Sequence, residues 1–200
     1  RPMSPWGGGL TAMDTHETRY KYASSYCEEN TWHLCQEPVF EGAEVKVVFV
    51  LSHGGICRLW NQKISTDPGE SVCWDYHAFV ISRQDLYREW MAWDLDTRLG
   101  LPVSLPHYLA STFRNPDDLP EFFEPVFRVL AAGEYLATFS SDRGHMLGPG
   151  GEWMATPPDW EPILLAGGNT LERFLDPAGG PGDLRSLEEI QSGFAGQGSV

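Results

Sequence analysis

Positive charge is scarce in this 200-residue chain: 14 Lys and Arg stand against 28 Asp and Glu, for a net charge of −14 at pH 7. Affinity for a phosphate backbone comes from clustered cations that displace condensed counterions, so this balance argues against nucleic acid as a partner. Long apolar runs are missing too. The most apolar stretch, Val45–Leu51, falls far short of the roughly 18 residues that would mark a membrane span. The N-terminal stretch has no continuous apolar core of the kind a secretory signal needs, which makes a cytoplasmic location the default expectation. Cysteine is sparse. The four present (Cys27, Cys35, Cys57, Cys73) include no C-x-x-C pair, so free thiols are expected in place of a disulfide framework or a standard metal knuckle.

What the chain does have is enough apolar material for a core. With 42% hydrophobic and 12% aromatic residues it reads as one globular domain that needs no covalent or metallic staple, burying roughly 70% of its unfolded surface. Residues 1–21, with Pro2, Pro5 and Gly7 to Gly9, read as a flexible lead-in, and residues 22–200 as the single domain. Ser24 to Gln36 reads as a helix, with Ser25 and Glu28 forming a capping box and Pro38 forbidding continuation. Val45–Ser52 is β-branched and short, a buried strand, and Gly54-Gly55 is expected to turn it in a tight hairpin into Ile56–Gln62. Val72–Ser82, Trp90–Asp96 and Phe127–Ala131 follow as strands. The five prolines between Pro102 and Pro125 predict loops with short helical turns. Tyr135–Ser140, Leu171–Leu175 and Ser186–Phe194 read as short helices. The sum is an α+β (mixed α/β) domain with a helix in front of a largely antiparallel sheet.

The residues that could carry chemistry begin with Cys27. The capping box would set it at the second position of a helix, where unpaired amides and the helix dipole favour a thiolate. A buried structural cysteine is the plainer alternative. In Val72–Ser82 a period of two puts Cys73, Asp75, His77 and Phe79 on one face and Trp74, Tyr76, Ala78 and Val80 on the other. A hairpin centred between Asp85 and Leu86 would set His77 directly opposite Asp94, with Cβ atoms about 5 Å apart. Slipping that register by one pair would substitute Asp96. Either carboxylate could fix the imidazole tautomer and raise its basicity.

Several strings then coincide: SSYCEENTWHLC (24–35), CWDYHAFV (73–80), WDLDT (93–97), FRVL (127–130) and FSSDRGHM (139–146). In order and spacing they resemble the protein N-terminal glutamine amidohydrolase family, and SLEEIQSGF (186–194) is similar to its closing helix. That resemblance implies a papain- or transglutaminase-like fold, an α-β-α sandwich whose nucleophile helix packs on the sheet. It implies a Cys-His-Asp triad that carries over to Cys27, His77 and Asp94, the first aspartate of the DLDT string. The implied reaction converts an N-terminal glutamine of a protein or peptide to glutamate through a cysteine thioester, with loss of ammonia and no cofactor or metal. A monomer acting on protein N-termini is the corresponding expectation.

Acting only at a chain terminus demands an acid for the α-ammonium. Asp75, which shares the His77 face, is the first candidate, with Glu28 and Glu29 nearby and Trp74 as a pocket wall. Ser141–His145 could close the site, or simply hold an Asp142–Arg143 pair. Three other readings use the same residues differently: a protease or transglutaminase with the same triad, a silent module that binds N-terminal residues, and a zinc module built from Cys27, His33, Cys35, His53 and Cys57. The last has spacings that match no standard ligand pattern.

Overall fold

The computed structural model describes residues 19–85, 88–114 and 120–194. Most of the lead-in expected at residues 1–21 therefore lies outside the described residues. Among the described residues eight strands and five α-helices follow one another in the order α1 (Cys27–Leu34), β1 (Glu44–Ser52), β2 (Cys57–Leu59), β3 (Val72–Trp74), β4 (His77–Arg83), β5 (Met91–Trp93), β6 (Val103–Ser104), α2 (Leu105–Thr112), β7 (Pro125–Ala131), α3 (Ala132–Thr138), α4 (Leu171–Leu175), β8 (Asp183–Ser186) and α5 (Leu187–Gly193). Six strands form one antiparallel sheet in the order β6-β5-β4-β1-β7-β8, and β2 pairs with β3 in a separate ribbon.

The sheet is organised around β1. Val47 to Leu51 are all buried, alternating between the two faces, and each such side chain is worth about 1.5–3 kcal/mol relative to leaving it in water. Val48 and Val50 pack with Phe79, Ile81, Tyr108, Leu109, Ile190 and Phe194, so α2 and α5 cover one face. Val47, Phe49 and Leu51 pack with Cys27, Ala78, Tyr135, Leu171 and Phe174, so α1, α3 and α4 cover the other. A strand buried on both faces reads as a continuous apolar run, and β1 does.

Three local expectations are corrected. The Gly54-Gly55 turn exists, with the Gly55 amide bonded to the Ser52 carbonyl at 3.1 Å, but β2 does not pair with β1. Both edges of β1 are taken by the more apolar β4 and β7, which leaves the polar segment after the turn to pair with β3. The strand expected over Val72–Ser82 breaks at Asp75-Tyr76, where the Asp75 carboxylate accepts from the Tyr76 amide at 3.0 Å. The proline-rich stretch also holds an eight-residue helix, α2, because Pro106 falls in the first turn, where its missing N–H costs nothing.

The Gly/Pro-rich C-terminal third is bound tightly through Arg128, which is buried in β7. Its Nε donates to the Phe174 carbonyl (2.8 Å), Nη1 to Pro181 (2.7 Å) and Nη2 to Asp176 and Gly179. Gly180 has φ +95° here, and a Cβ at that position would lie 2.0 Å from the Arg173 carbonyl. Truncating Arg128 would remove the guanidinium donors from four carbonyls, of which that of Phe174 belongs to a buried residue. Arg128→Leu is thus expected to lower the unfolding free energy by about 3 kcal/mol or more, read from the shift of a denaturant midpoint; a loss below about 1 kcal/mol would contradict the clamp.

Candidate active site

Cys27 opens α1 as its first residue, with Tyr26 as N-cap, so it sits one position earlier than expected. The capping box is not formed. Ser25 takes a left-handed conformation (φ 70°), and the turn is closed by Asn30, whose side chain bonds both the amide and the carbonyl of Ala23 at 2.8 Å. Glu28 is thereby freed from capping and turns inward. Burial pushes the Cys27 thiol well above its ordinary pKa, and the Glu28 carboxylate adds to this, outweighing the Ala78 backbone amide that favours the thiolate. The helix start therefore does not lower the thiol pKa here: burial and the neighbouring Glu28 outweigh it.

Cys27 shares a packed cluster with Ala78, the neighbour of His77 on β4. The imidazole Nε2 of His77 lies 3.0 Å from Asp94 Oδ1, both side chains being essentially inaccessible. Its Nδ1 is buried and has no hydrogen-bond partner among the described residues, and the Trp74 ring stacks at 6.0 Å. The contact arises from a register other than the one expected. Val80 pairs with Trp93 and Ser82 with Met91, a frame that if continued would bring Asp96 opposite His77. Pairing stops at Trp93, however, and the chain turns: the Thr97 amide bonds the Asp94 carbonyl and the Asp96 amide bonds Asp94 Oδ1 (2.9 Å). That turn carries the Asp94 carboxylate to the ring.

Asp94 is further held by Tyr108, whose hydroxyl donates to Oδ2 at 2.8 Å, and by Gln62 Nε2 at 3.5 Å. Burial alone would raise its pKa, but His77, the Asp96 amide and Tyr108 together hold it below the usual carboxylate range. Burial also disfavours the His77 imidazolium, and Asp94 more than compensates, so His77 is raised. Asp96 behaves oppositely, pushed up by burial and by Asp94, and accepts from the Tyr22 hydroxyl at 2.6 Å. Tyr108, Gln62 and Tyr22 were not expected. Tyr108 lies in a segment read as loops with short helical turns, and the proline-led helix start was the one signal that could have pointed to it.

Of the residues expected to meet substrate, Trp74 is half-buried, Asp75 is exposed and Glu28 is fully buried. Glu28 Oε2 lies 3.6 Å from Cys27 Sγ, and Oε1 lies 3.4 Å from His145 Nε2, which also meets the Tyr76 hydroxyl at 3.3 Å. Glu29 is neutralised: Arg143 donates to both its oxygens and Trp160 Nε1 to one, all at 2.7 Å. The segment Ser141–His145 is thus fastened to α1 through Glu29, and Arg143 pairs with Glu29, not Asp142. For a metal, His77, Asp94 and Asp96 bring one ligand atom each within 4.8 Å of one another, the only such group among the described residues. The hydrogen bonds above already engage all three. Cys27, His33, Cys35, His53 and Cys57 are not brought together as a zinc set.

The His77–Asp94 pair contributes stability above the unfolded-state pKa of aspartate, about 3.9. His77's share is complete below about pH 6.5 and is lost as the pH rises through its higher folded-state value. His77→Gln should therefore cost more stability at about pH 6 than at about pH 9 in denaturant titrations; equal losses at both would contradict a raised His77.

Residues 22–192 match the N-terminal glutamine amidase family. The chain is 38% identical over 180 residues to a protein N-terminal glutamine amidohydrolase of Drosophila melanogaster, with 86% of this chain and 87% of the relative covered. The protein of the same name from Drosophila willistoni is 39% identical over 181 residues, with the same coverage of both chains. The chain belongs to the N-terminal glutamine amidase family.

Proposed function

We propose that this protein hydrolyses the side-chain amide of an N-terminal glutamine on proteins or peptides, giving N-terminal glutamate and ammonia. The observation that carries the reading is the buried His77–Asp94 pair, with Cys27 packed in one cluster with Ala78, the next residue of the His77 strand, in a chain of this family. The papain- or transglutaminase-like arrangement is supported by a cysteine at the start of a helix packed on an antiparallel sheet.

In this reading Cys27, His77 and Asp94 act together. Asp94 holds Nε2, which leaves Nδ1 as the nitrogen that takes the thiol proton. Sulfur attacks the carboxamide carbon, and the C–S bond forms as negative charge moves to oxygen. First-turn amides of α1, not capped by the Tyr26 side chain, are available to stabilise that oxyanion. His77 returns the proton to the departing nitrogen, the C–N bond breaks and ammonia leaves. A water, deprotonated by His77, then cleaves the thioester to release glutamate and restore the thiol. No step calls on a cofactor or metal. Free thiols at all four cysteines fit a reducing, cytoplasmic setting, and the acidic charge fits a protein-modifying enzyme with neither nucleic acid nor membrane as partner; we take it to act as a monomer.

Ammonia release and mass change on peptides with Gln first, Gln internal or Asn first test the proposal. Conversion should be confined to N-terminal Gln, vanish with Cys27→Ala, and fall in kcat by about 10²- to 10⁴-fold with Asp94→Asn. Backbone cleavage or joining of Gln to amines would keep the triad and overturn the substrate; binding without turnover would overturn the enzyme.

A further inference from the structure

Two successive glutamates of α1 are completely buried, and they are treated differently. Glu29 meets a bidentate arginine and an indole N–H. Glu28 has no guanidinium or indole partner among the described residues: its Oε2 accepts from the Cys27 thiol at 3.6 Å, the Tyr76 hydroxyl lies close by, and its Oε1 is buried without a hydrogen bond, 3.4 Å from the His145 imidazole. A buried carboxylate is stable only when neutralised or fully hydrogen-bonded, and His145 does this weakly. Its Nε2 is shared with the Tyr76 hydroxyl and its Nδ1 is buried with no hydrogen-bond partner among the described residues. It rides on a single 3-10 turn, Gly144–Met146, entered through Arg143 in a left-handed conformation. Unlike Glu28, it is partly exposed, with 22% of its side-chain surface accessible. The carboxylate it touches lies 3.6 Å from the nucleophilic sulfur.

We propose that Glu28 is the receptor for the substrate α-ammonium, which takes the place the His145 imidazole holds against it. This rests on the amidohydrolase reading above. In glutamine the α-nitrogen and the carboxamide carbon are about 5 Å apart when extended. An ammonium about 2.8 Å from the carboxylate and a carbon about 3.3 Å from Sγ are therefore reached together. An internal glutamine presents a neutral amide nitrogen instead, which would cover Glu28 without compensating its charge. Restriction to chain termini then follows from one buried charge. Asp75, the acid first expected in this role, is exposed and accepts from the amide of its own turn.

The test compares a peptide beginning with Gln against its des-amino analogue, identical except for the missing α-amino group. The native protein should prefer the amine by about 10- to 100-fold in kcat/KM, the range for a hydrogen bond to a charged group. Glu28→Gln should bring the two substrates within a few-fold of each other, with the loss falling on KM, whereas His145→Asn, which leaves the carboxylate in place, should keep the preference. A preference that survives Glu28→Gln, or one abolished by His145→Asn, overturns the assignment. If Glu28→Gln does not fold, Glu28→Asp retracts the charge by one methylene and should raise KM for the amine peptide; an unchanged KM overturns it. Native protein that releases ammonia from neither peptide would instead refute the amidohydrolase reading.

Discussion

Asp94 has almost no exposed surface, and a carboxylate can stay ionised there only if its lone pairs are engaged from several sides. They are. The His77 ring, the Asp96 amide, the Tyr108 hydroxyl and the Gln62 amide converge on it from β4, the turn after β5, helix α2 and the loop after β2. Each of those elements must be in place for the charge to be tolerated, so this one anion ties together the edge of the sheet, a helix and two loops. In return the anion sets the imidazole: Nε2 is committed to Asp94, and Nδ1 is the nitrogen the proposed reaction uses.

The thiol side of the site obeys the opposite logic. Cys27 is buried and faces a carboxylate, so its charge is disfavoured, and in the proposed reaction sulfur attacks as His77 takes its proton, not as a standing thiolate. A protected, neutral thiol suits a reducing setting and resists casual oxidation, because susceptibility follows thiolate character and exposure. Glu28 is the source of part of that penalty. A buried carboxylate that raises the thiol pKa and meets no guanidinium or ammonium among the described residues is costly, and the proposed role in seating a cation would account for it.

Much of the architecture was legible in the residues. The β-branched run of β1 and the compact apolar string of β7 could only be strands in a core, and α4 and α5 fell where short amphipathic periods put them. The order and spacing of the Cys27, His77 and Asp94 strings pointed to the family. What escaped was set by tertiary competition. The Gly54-Gly55 turn signalled a hairpin, but pairing went to the partners with more apolar surface. Alternation along β4 and β5 could not choose a register, and the contact between His77 and Asp94 comes from a turn that ends the pairing. Ser25 and Glu28 had the spacing of a capping box, yet Asn30 closed the helix start and left Glu28 to the interior. Arg143 joined Glu29 across more than a hundred residues, a contact no local pattern encodes.

In the proposed reaction, amide hydrolysis passes through a covalent bond to the Cys27 sulfur. The most direct measurement is the intact mass of the protein after mixing with a peptide beginning with Gln and rapid quenching in acid, followed by fragmentation to locate the adduct. The account predicts a species heavier by the mass of the peptide less ammonia, carried on Cys27. Deamidated peptide accumulating with no such species, or with the adduct on another residue, would contradict it.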